Sequence, residues 1–125
     1  MAERILPFSE DMHQLLGDTL SALGIEAEEK KMFGHHTMFL NGYMFAGGNV
    51  RGIFLNIGRD EVDRLLQENN QLFPFAPGGR AMRDYIQLGL PIAEDPSELK
   101  AWVKRSANYL TSLPPKVKKP KKKKA

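Results

Sequence analysis

The chain has 125 residues, of which 42% are hydrophobic and 26% are charged, as is typical of one globular domain with a single buried core. It contains no cysteine, which excludes disulfides, thiolate metal ligands and cysteine nucleophiles. The sequence shows neither an apolar run long enough to span a bilayer nor a signal-peptide pattern. We therefore expect a cytoplasmic protein with no membrane partner.

The net charge of +3 is distributed unevenly along the chain. Seven of its 18 basic residues follow position 115 without an accompanying acid: Lys116, Lys118, Lys119, Lys121, Lys122, Lys123 and Lys124. Removing these seven leaves 11 basic residues against 15 acidic ones, so residues 1–115 sum to −4. The pI of about 9.2 is therefore a property of the C-terminal segment. We predict one folded domain over residues 1–115 and a disordered, lysine-rich tail over residues 116–125.

The first predicted helix begins after Ser9, a favourable N-cap residue, and ends at Gly24, which tolerates a left-handed conformation. Apolar residues recur at helical spacing between them: Met12, Leu15, Leu16, Leu20 and Leu23. The polar stretch that follows, Glu26–Lys31, is expected to lead into the hairpin and to begin the first strand.

The clearest turn signal of the chain is Asn41-Gly42, with apolar runs on both sides. Both residues tolerate positive φ, as a type I′ hairpin turn requires. We predict a hairpin with arms at Thr37–Leu40 and Tyr43–Ala46, covered on both faces because each face carries large apolar side chains. The next segment, Gly47–Asn49, is predicted to be a flexible turn.

Further elements follow along the chain. Ile53–Ile57 is predicted to be a strand, a short helix begins near Asp60, Phe73–Gly79 is predicted to be a packed loop, and Arg80–Leu88 a further strand.

The last helix has the strongest start signal, with Asp95 as N-cap and Pro96 at the first helical position. Its apolar stripe predicts a buried face with Trp102 as a core anchor: Leu99, Trp102, Val103, Leu110 and Leu113. The element order predicts an α+β fold, in which an antiparallel sheet built around the core hairpin packs against N-terminal, middle and C-terminal helices.

Two groups of segments resemble the N-terminal domain of the TfoX/Sxy competence-regulator family. The first is Met32–Gly34 with Asn41–Ala46, and the second is Phe73–Phe75 with Gly79–Met82 and Tyr85. The resemblance covers roughly residues 12–113. It implies the fold of that domain and a bacterial transcriptional co-activator that acts by protein contact. The lysine tail stands where the family's helical second domain would follow.

One position departs from the pattern that the resemblance implies. At Ile53–Asn56 the family is expected to have an aromatic residue, a leucine and a basic residue, and Asn56 occupies the basic position.

Few residues suggest a chemical site. His35 and His36 are adjacent, so a strand directs them to opposite faces, and only His13 adds a further imidazole. We therefore predict no metal site and no cofactor. No nucleophile has a base at a suitable spacing, and we predict that the protein is not an enzyme.

Gly78, Gly79 and Arg80 form a candidate anion or partner site, in which backbone N–H groups and a guanidinium surround a phosphate or carboxylate. The alternative is a glycine turn with Arg80 paired to a nearby acid.

The tail predicts non-specific affinity for nucleic acid, because lysines displace condensed counterions from phosphates without reading bases. A solubility tail and weak attraction to anionic lipid are the alternatives. For the whole chain, a competence-type regulator contrasts with a small ligand- or protein-binding adaptor that has no transcriptional role.

Overall fold

The structure is a computed structural model that describes residues 7–32, 35–68 and 72–115. These residues form six strands: β1 (Glu28–Met32), β2 (His35–Leu40), β3 (Tyr43–Asn49), β4 (Gly52–Asn56), β5 (Leu72–Pro74) and β6 (Tyr85–Leu88). They also form four α-helices: α1 (Glu10–Leu23), α2 (Arg59–Glu68), α3 (Leu90–Ala93) and α4 (Pro96–Ser112).

The strands build one antiparallel sheet in the order β1-β2-β3-β4-β6-β5. The main core lies on one face of this sheet, between the strands and helices α1 and α4. Its fully buried side chains include Leu16, Phe45, Ile53, Leu55, Ile86, Leu88, Leu99 and Leu110. The predicted α+β fold, with an antiparallel sheet around a hairpin and helices packed on it, is confirmed.

Local signals fix the ends of the two long helices as the sequence predicts. The Ser9 hydroxyl accepts a hydrogen bond from a first-turn backbone N–H of α1 at 3.2 Å, and Gly24 ends that helix with φ 70°. Asp95 accepts from two backbone N–H groups of α4 at 3.0 and 3.2 Å. Each cap satisfies donors that a helix start leaves without partners.

The hairpin turn has the predicted type I′ character, with φ 56° at Asn41 and 86° at Gly42. The Asn41 side chain also has a second contact that the turn signal does not reveal. Its amide nitrogen donates to the carbonyl oxygens of Leu110 at 2.8 Å and Leu113 at 3.0 Å. The hairpin tip therefore caps the C-terminal end of α4, whose last carbonyls lack helical partners.

A β-bulge divides the hairpin into two registers. Met38 pairs with Ala46 while Phe39 pairs with Met44, so Phe45 is the extra residue of β3. Phe45 and Ala46 are consecutive, yet both are fully buried in the helix-side core. The bulge thus turns a large aromatic side chain towards the helices, where strict alternation along the strand has no place for it.

The predicted turn at Gly47–Asn49 is wrong, because these residues continue β3 and the turn falls at Val50 and Arg51. The two glycines are needed for close packing. A Cβ atom on Gly47 would lie 2.5 Å from the Phe54 ring, and one on Gly48 would meet the backbone of α1.

Three other predictions need correction. The strand predicted over Arg80–Leu88 is limited to β6, since residues 80–82 are irregular and residues 83 and 84 form a turn before it. The loop predicted over Phe73–Gly79 contains most of β5 and ends in a 3-10 turn at Pro77–Gly79. Trp102 is half-buried at the edge of the core, with the Arg105 guanidinium 5.3 Å from its ring, and so is less central than predicted.

We expect Asn41→Asp to destabilise the protein more than Asn41→Gly, although both residues tolerate the turn geometry. The glycine variant loses two hydrogen bonds to α4, at a cost of about 1–2 kcal/mol. The aspartate variant also directs a carboxylate at two carbonyl oxygens, for a total of about 3 kcal/mol. Urea denaturation of the three proteins measures both differences. Equal stability of all three would show that the cap contributes nothing.

Gly48→Ala is expected to destabilise the protein by about 1–3 kcal/mol. The added Cβ would lie 2.7 Å from both the Met12 Cβ and the His13 backbone nitrogen. Gly17→Ala is the matched control, since no atom lies within 4 Å of its added Cβ. In the interior of α1 that change should stabilise the protein by about 0.5–1 kcal/mol. Thermal denaturation of the two variants should therefore give shifts of opposite sign.

Candidate functional sites

The predicted anion site at Gly78, Gly79 and Arg80 lies on an exposed tight turn. Gly79 has φ 87°, and its N–H donates to the carbonyl oxygen of Ala76 at 3.1 Å. This N–H is therefore not available to an anion, so a backbone nest at this turn has one donor fewer than expected. Arg80 is exposed and forms no ion pair with any described residue, so the anion site stays a prediction.

The segment that carries this turn is held against the sheet face opposite the helices. Phe75 stacks on Phe54 with ring centroids 4.0 Å apart and planes 12° apart. Tyr85 packs against Phe54 at 5.9 Å, and half-buried Met44 completes this second, smaller cluster. The backbone of Met82 also donates to Phe75 at 2.8 Å. The cluster fixes where the candidate anion site lies.

Tyr85 is a buried residue of this smaller cluster, and its surroundings change the pKa of its phenol. Burial raises the pKa of its phenol to about 12, because the phenolate would lose its hydration. The hydroxyl donates to the carbonyl oxygen of Met44 at 3.0 Å, which links β6 to β3 across the intervening β4. This role is structural.

Asn56, at the family's basic position, also has structural partners. Its side chain donates to Met44 O at 3.3 Å and accepts from the N–H of Gly58 at 3.3 Å. Its carbonyl oxygen accepts from the buried Ser106 hydroxyl at 2.6 Å, which ties β4 to α4. Asn56 therefore serves the packing of the fold and offers no positive charge to an anion.

A cluster of three ligand-type side chains forms where α1 meets β1 and β2. His13 Nε2 lies 3.4 Å from Glu29 Oε1, and His36 Nδ1 lies 2.6 Å from Glu29 Oε2. One potential ligand atom from each residue lies within 4.8 Å of the other two. The ring of Phe8 lies beside His13, His35 and His36, with centroids 5.6–5.7 Å apart. We call His13, Glu29 and His36 the histidine cluster.

The prediction of no metal site was based on the adjacent His35 and His36 and did not anticipate this arrangement. His35 and His36 both lie beside the Phe8 ring, and of the two only His36 shares Glu29 with His13. His13 reaches His36 because α1 packs on the sheet, a contact between elements that sequence spacing does not encode. The signal available in the sequence was weak: a histidine one turn into a helix and an acidic strand preceding the hairpin.

A groove of about 410 Å³ lies between the end of α1, β2 and α4. Its walls are largely apolar, and Glu26 and Lys104 are among its lining residues. The predicted nucleic-acid-binding lysines, which begin at Lys116, lie outside the described residues. Within those residues no helix is long and apolar enough to cross a bilayer.

The fold, together with the spacing of the two groups of segments that carry the family resemblance, defines a class of small α+β domains. A comparison with protein-family profiles identifies the family. The profile of the TfoX N-terminal domain matches residues 18–109, which is most of the chain. The protein therefore belongs to the TfoX N-terminal domain family, as its resemblance indicated. Comparisons with curated proteins and with solved structures gave no significant match.

The raised pKa of Tyr85 predicts a specific loss of stability at high pH. Below about pH 10 the phenol is neutral in both folded and unfolded chains, whereas between pH 10 and 12 only the unfolded chain loses the proton. This difference should lower the free energy of unfolding by about 1.4 kcal/mol between pH 9 and 11. Tyr85→Phe lacks this contribution, so its stability should fall by that much less. Urea denaturation at pH 9 and pH 11 measures the loss of unfolding free energy for each protein. Equal losses in parent and variant would contradict the raised pKa of Tyr85.

Proposed function

We propose that the protein is a bacterial regulator of the competence type that acts in transcription by contacting another protein, while its lysine tail adds non-specific affinity for nucleic acid. The observation that carries the proposal is membership in the TfoX N-terminal domain family over residues 18–109. The proposed role of the tail is based on its charge alone, because residues 116–125 contain seven lysines and no acidic residue.

Ion pairs on the folded domain support assigning nucleic-acid affinity to the tail. On α2, Arg64 contacts Glu61 at 2.6 Å and Glu68 at 3.1 Å, and Arg105 of α4 also contacts Glu61. The hydrogen bond from Arg64 lowers the pKa of Glu61, which keeps the carboxylate charged. Arg83 pairs with Asp63 at 3.2 Å. Guanidinium groups engaged in this way attract a phosphate backbone less than free ones do, and residues 1–115 sum to −4.

The proposed activity is binding and not catalysis. Ser9 caps α1, and the buried Ser106 hydroxyl donates to the Asn56 carbonyl oxygen. Ser112 donates to the carbonyl oxygen of Tyr109 at 2.6 Å. Among the described residues, none of these hydroxyls has a histidine as its hydrogen-bond partner. A cytoplasmic location is part of the proposal, since transcription takes place there in bacteria.

The groove beside α4 favours a second candidate function. Its lining combines apolar side chains such as Leu23 and Leu40 with polar ones such as Lys104, a mixture that can bury part of a ligand or peptide and orient it. A small ligand- or protein-binding adaptor without a transcriptional role would use this surface and need no nucleic acid. Nucleic-acid affinity carried by the tail separates the two candidates.

Binding titrations across a salt series test the tail. Seven lysines, each contributing a slope of about 0.9, limit the fall of log affinity against log salt to about 6, and we expect a slope of about 4–5. Two unrelated DNA duplexes should bind equally, because lysines on phosphates do not read sequence.

The matched control is a chain that ends at Pro115. It keeps the Pro114 carbonyl oxygen that accepts from the Tyr43 hydroxyl at 2.7 Å, so its thermal midpoint should stay close to that of the parent. Its DNA affinity should be lost. Discrimination between the duplexes, or affinity that survives the truncation, would move the contact onto the folded domain and contradict the proposal.

A further inference from the structure

We propose that the histidine cluster is a binding site for one divalent transition-metal ion, with zinc as the best chemical match. His13, Glu29 and His36 supply two imidazole nitrogens and one carboxylate. Zinc commonly takes this ligand set, and hard cations such as Mg²⁺ prefer all-oxygen sites. The proposal is independent of the function of the tail and of the family.

The spacing of the ligand atoms suits a tetrahedral ion. Zinc bonds of about 2.0–2.2 Å to nitrogen and oxygen place neighbouring tetrahedral ligand atoms about 3.3 Å apart. His13 Nε2 and Glu29 Oε1 already lie 3.4 Å apart. His36 Nδ1 and Glu29 Oε2, at 2.6 Å, are at hydrogen-bond distance. One ligand atom from each of the three residues already lies within 4.8 Å of the other two. Binding of an ion by all three residues therefore requires only a small side-chain rotation.

The three ligands come from three different elements. His13 belongs to the first turns of α1, Glu29 to edge strand β1 and His36 to β2. The His13 ring is enclosed, with 15% of its side chain exposed, and it packs against Phe8. Its buried Nδ1 has no hydrogen-bond partner among the described residues, and Nε2 is the ring nitrogen that faces the carboxylate.

The other two ligands leave the site open on one side. The side chains of Glu29 and His36 are 44% and 41% exposed, so an ion can enter from solvent. Three protein ligands also leave a fourth tetrahedral position for water or for a group from a partner molecule.

An ordinary ion pair is the competing explanation, and it requires only one histidine for each carboxylate. Here each oxygen of Glu29 faces a different histidine, and the two imidazole rings lie 5.4 Å apart and 30° from parallel. The geometry therefore favours a shared ion.

The test is calorimetric titration of zinc into the full-length, metal-free protein, produced without a polyhistidine tag. We expect binding of one ion per chain and a higher thermal midpoint in its presence, since a ligand that binds only the folded state stabilises it. Substitution of any single ligand, as in Glu29→Gln, His36→Gln or His13→Gln, should weaken binding by at least about 100-fold. Loss of a supporting residue around a metal costs about 10–100-fold, and loss of a ligand should cost more.

His35→Gln is the matched control. His35 neighbours His36 on β2 and contacts the same Phe8 ring, but it is not part of the cluster. Its variant should bind zinc within about threefold of the parent, as expected for a residue that donates no ligand. Cobalt gives a second readout, because ligand substitution changes the visible spectrum of the bound ion.

Absence of saturable zinc binding would overturn the proposal. So would binding that survives both Glu29→Gln and His36→Gln, or that His35→Gln weakens as much as they do. Because the side chains of Glu29 and His36 are well exposed, both variants should fold, which circular dichroism without metal checks. If His13→Gln does not fold, zinc binding by Glu29→Gln and His36→Gln alone tests the proposed site.

Discussion

The close approach of α1 to β3 is the constraint on which much of this structure depends. Gly48 has no side chain, and the backbone of α1 at Met12 and His13 occupies the space that a Cβ would need. The same end of the chain is held by hydrogen bonding to the β3–β4 turn, where the N–H of Val50 donates to Pro7 O at 3.1 Å. Once α1 is placed in this way, His13 lies over β1 and β2. One glycine therefore positions both a core helix and the histidine cluster.

The central strands β4 and β6 are buried on both faces by different means. On the helix face, the bulge at Phe45 and the residues of β4 and β6 provide a large aliphatic and aromatic core. On the other face, no helix is needed, because stacking of Phe54 with Phe75 holds the 75–84 segment in place. Stacked aromatic pairs contribute beyond their buried area. The smaller cluster thus substitutes for a second layer and determines where the candidate anion turn lies.

Local signals predicted the fold well wherever short-range chemistry decides the conformation. The Asn41-Gly42 turn and the caps at Ser9 and Asp95 depend on residues a few positions apart, and the structure has each of them. The errors arose from contacts between distant segments. Gly47 and Gly48 have the composition of a turn, but packing against Phe54 and α1 explains them better. The histidine cluster was missed for the same reason, since it joins three elements whose arrangement the spacing of histidines does not reveal.

The contacts between the hairpin tip and the end of α4 have a geometric consequence for the tail. Asn41 holds the carbonyl of Leu113, and Tyr43 holds that of Pro114, so the residues after Pro115 start from a fixed point beside the turn. A segment joined to Pro115 is therefore attached at one end of the domain, beside the hairpin tip. Under the proposed function, a polyanion bound by the lysines that follow would be concentrated around that end of the domain.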